Sequence, residues 1–490
     1  MWGFLKKGTV SFRGAALLVI VGAISFALTR VWMTLAINLH ISIGPSVDAV
    51  ASIQALVSII IVARFLTDAV FVAVGRRIPS LAAHPTVVAG VPIALSFGTL
   101  FVTCAANGWI DSFALLALGA VCCGIGIETF WLLWSELFVS IDFDKVKTII
   151  LAKIGIDAVC ALVFGSLPYE AAFVLLVVLP LVCLVGFRWA WSLRASEEPA
   201  TAAKPWRNIS LKQFAPIGIG VVMLCFGFNF SQSGFQDVLS GIDNSYTLGN
   251  WVSIIGRFVT FAVMFVALKL MKDCHFEVLF RASIVTATIG FLSLILPFDG
   301  RFACFSIAVI VASFIAENAI TLLTVYAAKH ATNSPVQILA WGQLALRAGG
   351  LFGVIAGNAI AHSVSTDMHE EVLPYLVSLE VLLLTFAAIY FVREQNISRF
   401  LWEVVPGAVE TSESDGAPYK TALLADAYGL TQREQEVLGL LLRGRSIPYI
   451  KETLYISTNT AKTHVRHIYQ KMGIHERQEL LTLANTFRGK

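Results

Sequence analysis

Twelve runs of predominantly apolar residues, most about 20 or more long, follow one another along the chain, and this repetition limits the available folds more than any other feature. They lie at approximately 15–37, 47–74, 86–106, 111–139, 148–167, 171–193, 213–234, 250–270, 278–297, 302–327, 335–361 and 371–392. A run of that length matches the ~30 Å hydrocarbon core of a bilayer, where every backbone amide has to be bonded within the segment. The spacing therefore predicts twelve membrane-spanning helices. Composition agrees: 57% of the 490 residues are hydrophobic and 14% charged, with a mean hydropathy of +0.77. Soluble domains sit near ~45–50% and ~25%, so a water-soluble enzyme is excluded. The first run exceeds the roughly 7–15-residue core of a cleaved signal, and is expected to be retained as a helix.

Orientation follows from Lys and Arg in the connections, because positive charge stays on the cytoplasmic side. The N-terminus (Lys6, Lys7, Arg13), the even-numbered connections with Arg188, Lys269 and Arg281 at the adjoining run ends, and Arg393 and Arg399 after the twelfth run together make eighteen Lys/Arg; the odd-numbered connections hold one, Arg301. A wrong helix count would break this alternation, so twelve spans with both termini in the cytoplasm are expected. The longest internal connection, residues 194–212, divides the body into six plus six. On this topology residues 1–392 resemble the major facilitator superfamily. That family carries an Asp-Arg-x-Gly-Arg-Arg-like signature between its second and third helices; here Gly75-Arg76-Arg77 stands in that loop, but Val72 lies three before the glycine and the nearest acid, Asp68, seven before it. The incomplete signature weighs against active transport.

The apolar pattern stops near residue 392. Residues 393–427 read as a cytoplasmic linker, with a short amphipathic piece at Arg399–Pro406 and an acidic, turn-rich stretch at Glu410–Pro418. Residues 428–490 then hold ten Lys/Arg against five Asp/Glu. Four short helices are predicted there. Thr431 with Glu434 forms a capping box, and Gly444 ends the first helix. Ser446 caps the second, with Pro448 in its first turn. Ser457 caps the third, which stops at Gly473, and the fourth begins near Glu476 and carries Leu480, Leu481 and Leu483. On the third, Ala461, Val465, Ile468 and Met472 make an apolar stripe, and Asn459, Lys462, Thr463, Arg466 and Gln470 lie opposite. A basic second helix after a short turn fits insertion into a DNA major groove, with Lys and Arg reaching phosphates or guanine edges.

Residues 428–484 resemble the LuxR-type DNA-binding domain. The matching residues are dense: Leu430-Thr431, Arg433-Glu434, Glu436-Val437-Leu438, Gly444, Ile450, Leu454, Ile456-Ser457, Thr460, Lys462-Thr463-His464, Ile468-Tyr469, Lys471-Met472-Gly473 and Arg477. The resemblance implies that Lys462, Thr463 and Arg466 face the groove and that the helix around Gln478–Leu483 forms a homodimer contact. Asn459, Thr460 and Lys471 complete the expected DNA-contacting set. Lys451 replaces the alanine usual at a packed corner of the family, and its stem is expected either to reach out to a phosphate or to shift the helix slightly.

Ionisable residues within a span are costly and are functional candidates. They are Arg30, Arg64, Asp68, Glu128, Glu136, Lys153, Asp157, Arg257, Glu317, Arg347 and Glu380. Arg64/Asp68 and Lys153/Asp157 stand at i, i+4 and are expected to pair along their own helices. In a facilitator-like arrangement, spans one, four, seven and ten line the centre. They carry Arg30; Glu128, Trp131 and Trp134; Asn229, Gln232 and Gln236; and Glu317 with Asn318. These residues are either a ligand site suited to polar groups on a ring or hydrocarbon body, or interhelical bridges such as Arg30 with Glu128 or Glu317.

The eight cysteines, Cys104, Cys122, Cys123, Cys160, Cys183, Cys225, Cys274 and Cys304, lack metal-ligand spacing and are expected to be small buried hydrophobes. Gly349, Gly350, Gly353 and Gly357 point to close helix packing. No nucleophile elbow, phosphate-binding glycine loop or metal cluster occurs, so neither a catalytic activity nor a cofactor is expected. The fold class expected is all-α: a twelve-helix, major-facilitator-like bundle followed by a four-helix LuxR-type domain. The function expected is a membrane-embedded one-component transcription regulator of the bacterial cytoplasmic membrane, with promoter DNA, the lipid bilayer and a small ligand as partners. The alternative is a transporter with an accessory DNA-binding tail.

Overall fold

The computed structural model describes residues 14–32, 47–106, 109, 112–164, 167–194, 208–234, 245–270, 276–297, 300–363 and 369–392, and, in the tail, 421, 424–442, 447–454, 456–474, 476, 479–480 and 483–484. The chain divides into two compact units, Met1–Val405 and Pro406–Lys490. Most of the expected linker, including Arg399–Pro406 and Glu410–Pro418, lies outside the described residues.

In the first unit each apolar run is a helix. They are α1 (Gly14–Trp32), α2 (Val47–Val74), α3 (Pro85–Ala106), α4 (Phe113–Ser140), α5 (Phe143–Phe164) and α6 (Tyr169–Leu193), then α7 (Leu211–Gly234), α8 (Ser245–Leu270), α9 (Phe276–Ile295), α10 (Arg301–His330), α11 (Pro335–Ser363) and α12 (His369–Val392). Among the described residues, ten are long and apolar enough to cross a membrane by length and composition. The other two are α5, which carries Asp144, Lys145, Lys147, Lys153 and Asp157, and α12, whose side chains are described only in part. Pro92, Pro180 and Pro216 sit inside helices, which neighbouring helices tolerate in a membrane protein.

The six-plus-six division is written in the packing. In the first half α3 packs on α4 and α6, and α2 on α4; in the second, α9 packs on α10 and α12, and α8 on α10. The halves meet reciprocally, α2 against α11 and α5 against α8. Close approach rests on glycine. A Cβ on Gly349 or Gly353 of α11 would lie 2.5 Å from the carbonyl oxygen of Val222 or Phe226 on α7. Apolar surface gives little drive for association inside a bilayer, so such backbone contact carries much of the packing.

One end of the bundle, carrying Arg76, Arg77, Lys145, Lys147 and Lys329, is closed by contacts between the halves. Lys329 Nζ donates to the Ile141 carbonyl (2.5 Å) and Ser334 Oγ to the Ile78 carbonyl (2.6 Å). A Cβ on Gly75 would lie 3.0 Å from the Gln337 Cα. Glu136 accepts from the backbone N–H groups of Leu81 and Ala82 and from the Ser80 hydroxyl, clipping the α2–α3 connection to α4. Toward this basic end, Gly126–Phe138 of α4, Ile315–Ala328 of α10 and Val336–Gln343 of α11 are buried without a break. The opposite halves of the same helices alternate buried with exposed positions, among them Phe113, Leu118, Ile125, Phe352 and Ile355.

The second unit contains α13 (Gln432–Leu442), α14 (Ile447–Leu454) and α15 (Thr458–Met472), with further helical residues at 424–427, 479–480 and 483–484. Leu424, Val437, Leu438, Leu441, Ile450, Ala461, Ile468, Met472, Leu480 and Ala484 form its core. The apolar stripe read from α15 is that core's floor, with Val465 partly buried beside it.

Candidate nucleic-acid interface and membrane charge network

The tail's local chemistry places α15. Thr431 and Glu434 cap α13 reciprocally: the Thr431 N–H donates to Glu434 Oε2 (2.8 Å) and the Glu434 N–H to Thr431 Oγ1 (3.3 Å). Arg433 Nη2 donates to the Leu454 carbonyl (2.6 Å), tying α13 to the end of α14. Ser457 Oγ accepts from the Thr460 N–H (3.1 Å), and Gly473, in the left-handed region at φ 67°, lets its N–H turn back to the last carbonyls. An N-cap of this kind is worth about 1 kcal/mol. Gly444 and Ser446 lie outside the described residues.

With the stripe buried, the opposite side of α15 is left to solvent. Asn459, Thr460, Lys462, Thr463, Arg466 and Gln470 are all exposed, as is Lys451 on α14. Thr463 Oγ1 donates to the Asn459 carbonyl (2.9 Å), which fixes its hydroxyl on that side. Lys471 is placed differently. Its ammonium donates to Glu434 Oε2 (2.7 Å) and to the Gly429 carbonyl (3.0 Å), bracing α15 against α13. Burial works to raise the Glu434 carboxyl, but the Lys471 ammonium and the Thr431 donors outweigh it and hold the group down at about 2. Of the fourth helix, Leu480 and Ala484 face the domain's own core and Glu479 is exposed; Gln478 and Leu481 lie outside the described residues.

In the bundle, the intramembrane charges pair between helices. Arg64 does not pair with Asp68: its Nε bonds Glu128 Oε1 on α4, which also accepts from Arg347 Nε on α11 (2.7 Å). Arg347 Nη2 lies 3.6 Å from Glu317 on α10, and Glu317 lies 3.3 Å from Arg30 Nη1 on α1. One chain of charges thus joins α2, α4, α11, α10 and α1. Glu128 and Glu317 sit near the middle of the fourth helix of their respective halves. Likewise Asp157 bonds Arg257 Nη1 on α8 (2.7 Å), while the Lys153 ammonium stands 5.0 Å from the Phe26 ring and 5.2 Å from that of Trp131. The intrahelical pairs expected from i, i+4 spacing are therefore replaced by bridges across the helix interfaces. Neither carboxylate oxygen of Asp68 has a hydrogen-bond partner.

The sequence-predicted ligand residues are dispersed. Arg30, Glu128 and Glu317 are in the network, and Trp131 adjoins it through Lys153. Trp134 is enclosed by Phe26, Phe130, Phe138 and Phe187. The amides of Asn229 and Asn318 donate to carbonyls of their own helices, Cys225 (2.8 Å) and Phe314 (2.7 Å). Gln232 is exposed, and Gln236 lies outside the described residues. Reading along single helices missed Arg64 and Arg347 as the two partners of Glu128; their shared membrane depth, each near the middle of its span, was the available signal.

Residues 429–484 match the family described as bacterial regulatory proteins, luxR family. The HTH-type transcriptional regulator MalT of Yersinia pestis (strain Pestoides F) and that of Serratia proteamaculans (strain 568) are each 47% identical to this chain over 55 residues, which are 11% of this chain and 6% of the relative. The matched segment thus spans a small part of those relatives' length. Among solved structures, the nucleoside transporter NupG aligns with 77% of this chain and 100% of its own at 13% identity and a TM-score of 0.48. A bacterial homologue of the iron transporter ferroportin, outward-facing with soaked iron, aligns with 77% of this chain and 98% of its own at 14% identity and a TM-score of 0.47.

Proposed function

We propose that this chain, in which residues 429–484 form a luxR-family helix-turn-helix domain, is a membrane-embedded one-component transcription regulator with no catalytic step of its own. The observation that carries the reading is the division of the cations on α15: Lys471 is engaged by Glu434 of α13, whereas Lys462 and Arg466 stand exposed beside Asn459, Thr460 and Thr463. That row has the donors needed for phosphates and base edges in a major groove. The basic end of the bundle belongs in the cytoplasm by the distribution of Lys and Arg, which puts the tail on the side of the promoter. Two tails pairing through their fourth helices would read a two-fold operator. A small ligand in the bundle changes DNA binding only to the extent that it binds one arrangement of the helices more tightly than the other.

The test is a gel shift with the isolated 419–490 fragment and DNA from upstream of its own gene. The fragment retards that duplex, with affinity falling steeply as salt rises, and Lys462→Ala and Arg466→Ala weaken or abolish the shift. Unchanged binding in both variants would remove the assigned face. A second reading, a carrier with an accessory regulatory tail, draws on the repeated six-helix halves and the ion pairs that cross between them. Gradient-driven accumulation of a bound compound in vesicles would favour it.

A further inference from the structure

Glu128, Asp157 and Glu317 each meet an arginine inside the bundle. Glu380 does not. It sits near the middle of α12, fully buried, and neither of its carboxyl oxygens has a hydrogen-bond partner. The carboxyl group lies against the bare backbone of α7, where a Cβ on Gly227 would come within 2.7 Å of Glu380 Oε2. One turn on, Ser231 spends its hydroxyl hydrogen on its own helix, at the carbonyls of Gly227 (2.8 Å) and Phe228 (3.1 Å).

α12 packs chiefly on α7 and α9, and the titratable groups of those helices lie elsewhere. On α7, Lys212 is exposed and stands about 22 Å along the axis from Gly227 at ~1.5 Å per residue. Cys225 of α7 faces Gly349 of α11. On α9, Glu277 and Arg281 occupy the first two turns, the former half-buried and the latter exposed. α12 itself holds His369, Glu370 and Glu371 in its first turn, Tyr390 in its last and an exposed Tyr375 between them. Among the described residues, no charged group acts on Glu380. Asp68 also lacks hydrogen bonds, but it stands one turn from Arg64.

A carboxylate with no cation, donor or water beside it is among the costliest groups to bury, and taking up a proton removes that cost. We propose that Glu380 is a proton-binding site: the occupied site keeps α12 against α7, and loss of the proton drives α12 outward until water reaches the carboxylate. A proton needs no preformed cavity. α12 presents Leu379, Leu382 and Phe386 to the outside of the bundle, so it has room to shift. In sequence α12 runs directly into residues 393–427 and the DNA-binding tail, which makes the proton a ligand whose binding the tail reports. That last step deepens the regulator reading and rests on it; the proton site does not.

The experiment treats the full chain in nanodiscs, across a pH series, with apolar N,N′-dicyclohexylcarbodiimide and with a water-soluble carbodiimide. A protonated carboxyl adds across one C=N bond, its proton passing to nitrogen, and an O-to-N acyl shift leaves an N-acylurea. The modified residue therefore gains the mass of the whole reagent and is located by tandem mass spectrometry. The apolar reagent labels Glu380, and labelling falls roughly tenfold per unit of pH once the site is half empty. The water-soluble reagent leaves Glu380 unmodified, and Glu380→Gln forms no adduct there. No apolar labelling at any pH, labelling that ignores pH, or equal labelling by both reagents overturns the proposal, and these results on the parent chain stand whether or not the variant folds. Retention of DNA by the full chain changes between the acid and alkaline ends of the series, and Glu380→Gln removes that change. The same change in both proteins would place the response in the tail and overturn the coupling. DNA retardation by the 419–490 fragment with no labelling of Glu380 refutes this inference and leaves the regulator reading standing; the expected labelling with a fragment that ignores DNA does the reverse.

Discussion

The bundle and the tail use charge in opposite ways. In the bundle Arg64, Arg257, Glu128, Asp157 and Glu317 are buried, Arg30 and Arg347 half-buried, and these four arginines bond carboxylates of other helices. In the tail the buried carboxylate of Glu434 takes Lys471, and Lys462 and Arg466 of α15 are exposed to solvent. The contrast follows from the surroundings. Inside a membrane an unpartnered charge has no water to turn to, so charge becomes an internal fastener whose loss is costly. On a small soluble domain an exposed cation costs little to leave unpaired, and a row of them is available to a partner. A charge in the bundle therefore governs whether and how the helices hold together, and a charge on α15 governs what the domain can hold.

That difference is broken most directly at Glu128. Glu128→Ala leaves Arg64 and Arg347 buried around an empty position, so a loss of about 3–5 kcal/mol is expected, seen as a collapse in the amount of folded protein in membranes. Glu436→Ala, which removes the surface partner of Arg433, is the matched control and shifts tail stability by under ~1 kcal/mol. Equal effects from the two would erase the distinction. Next in size, Arg466→Ala costs about 1–3 kcal/mol of DNA affinity if the guanidinium reaches a base, and a phosphate-contacting Lys462 lowers the salt slope by about 1 when removed. Fluorescence anisotropy across a salt series separates the two roles, with the tail's melting temperature unchanged.

Acid sharpens the comparison further. The Glu434 carboxyl is held at about 2 in the folded tail, below its value in an unfolded chain, ~4.3. Its stabilising contribution is thus complete above that unfolded value and is lost as pH falls through about 2. Lys471→Ala removes the bridge, so its acid unfolding by circular dichroism begins at higher pH than in the parent domain while DNA affinity at neutral pH changes less than in Arg466→Ala. The smallest effect is expected at Ser457→Ala, about 1 kcal/mol of tail stability through the lost N-cap, read from urea unfolding.

Much of this architecture was legible in the order of residues. Apolar runs gave all twelve helices because length and hydropathy suffice where the backbone has to satisfy itself. The capping box of Thr431 and Glu434, the Ser457 cap and the Gly473 stop were local signals with local outcomes. The pairing of Lys471 was within reach: at about 100° per residue it lies on the far side of the helix from Lys462 and Arg466, and it bonds Glu434 of α13. The pairing of the membrane charges was out of reach. Spacing of four joins Arg64 with Asp68 along one helix, but which faces of α2, α4 and α11 meet is decided by packing between segments dozens to hundreds of residues apart, and Glu128 wins both arginines. The dispersal of Trp134, Asn229, Gln232 and Asn318 away from the network has the same origin, since assigning a span to the centre does not fix the rotation of the helix about its axis.

The proposed regulator is a membrane-anchored chain that grips duplex DNA from the cytoplasmic side through α15. Sealed vesicles of known sidedness test it most directly: full-length protein in inside-out and in right-side-out vesicles is mixed with labelled DNA from upstream of its own gene, and retained label is counted after flotation. Inside-out vesicles are predicted to retain the duplex, losing it in high salt and in the Lys462→Ala, Arg466→Ala double variant, while right-side-out vesicles retain none. Retention by right-side-out vesicles, or none by either preparation at low ionic strength, would contradict the claim.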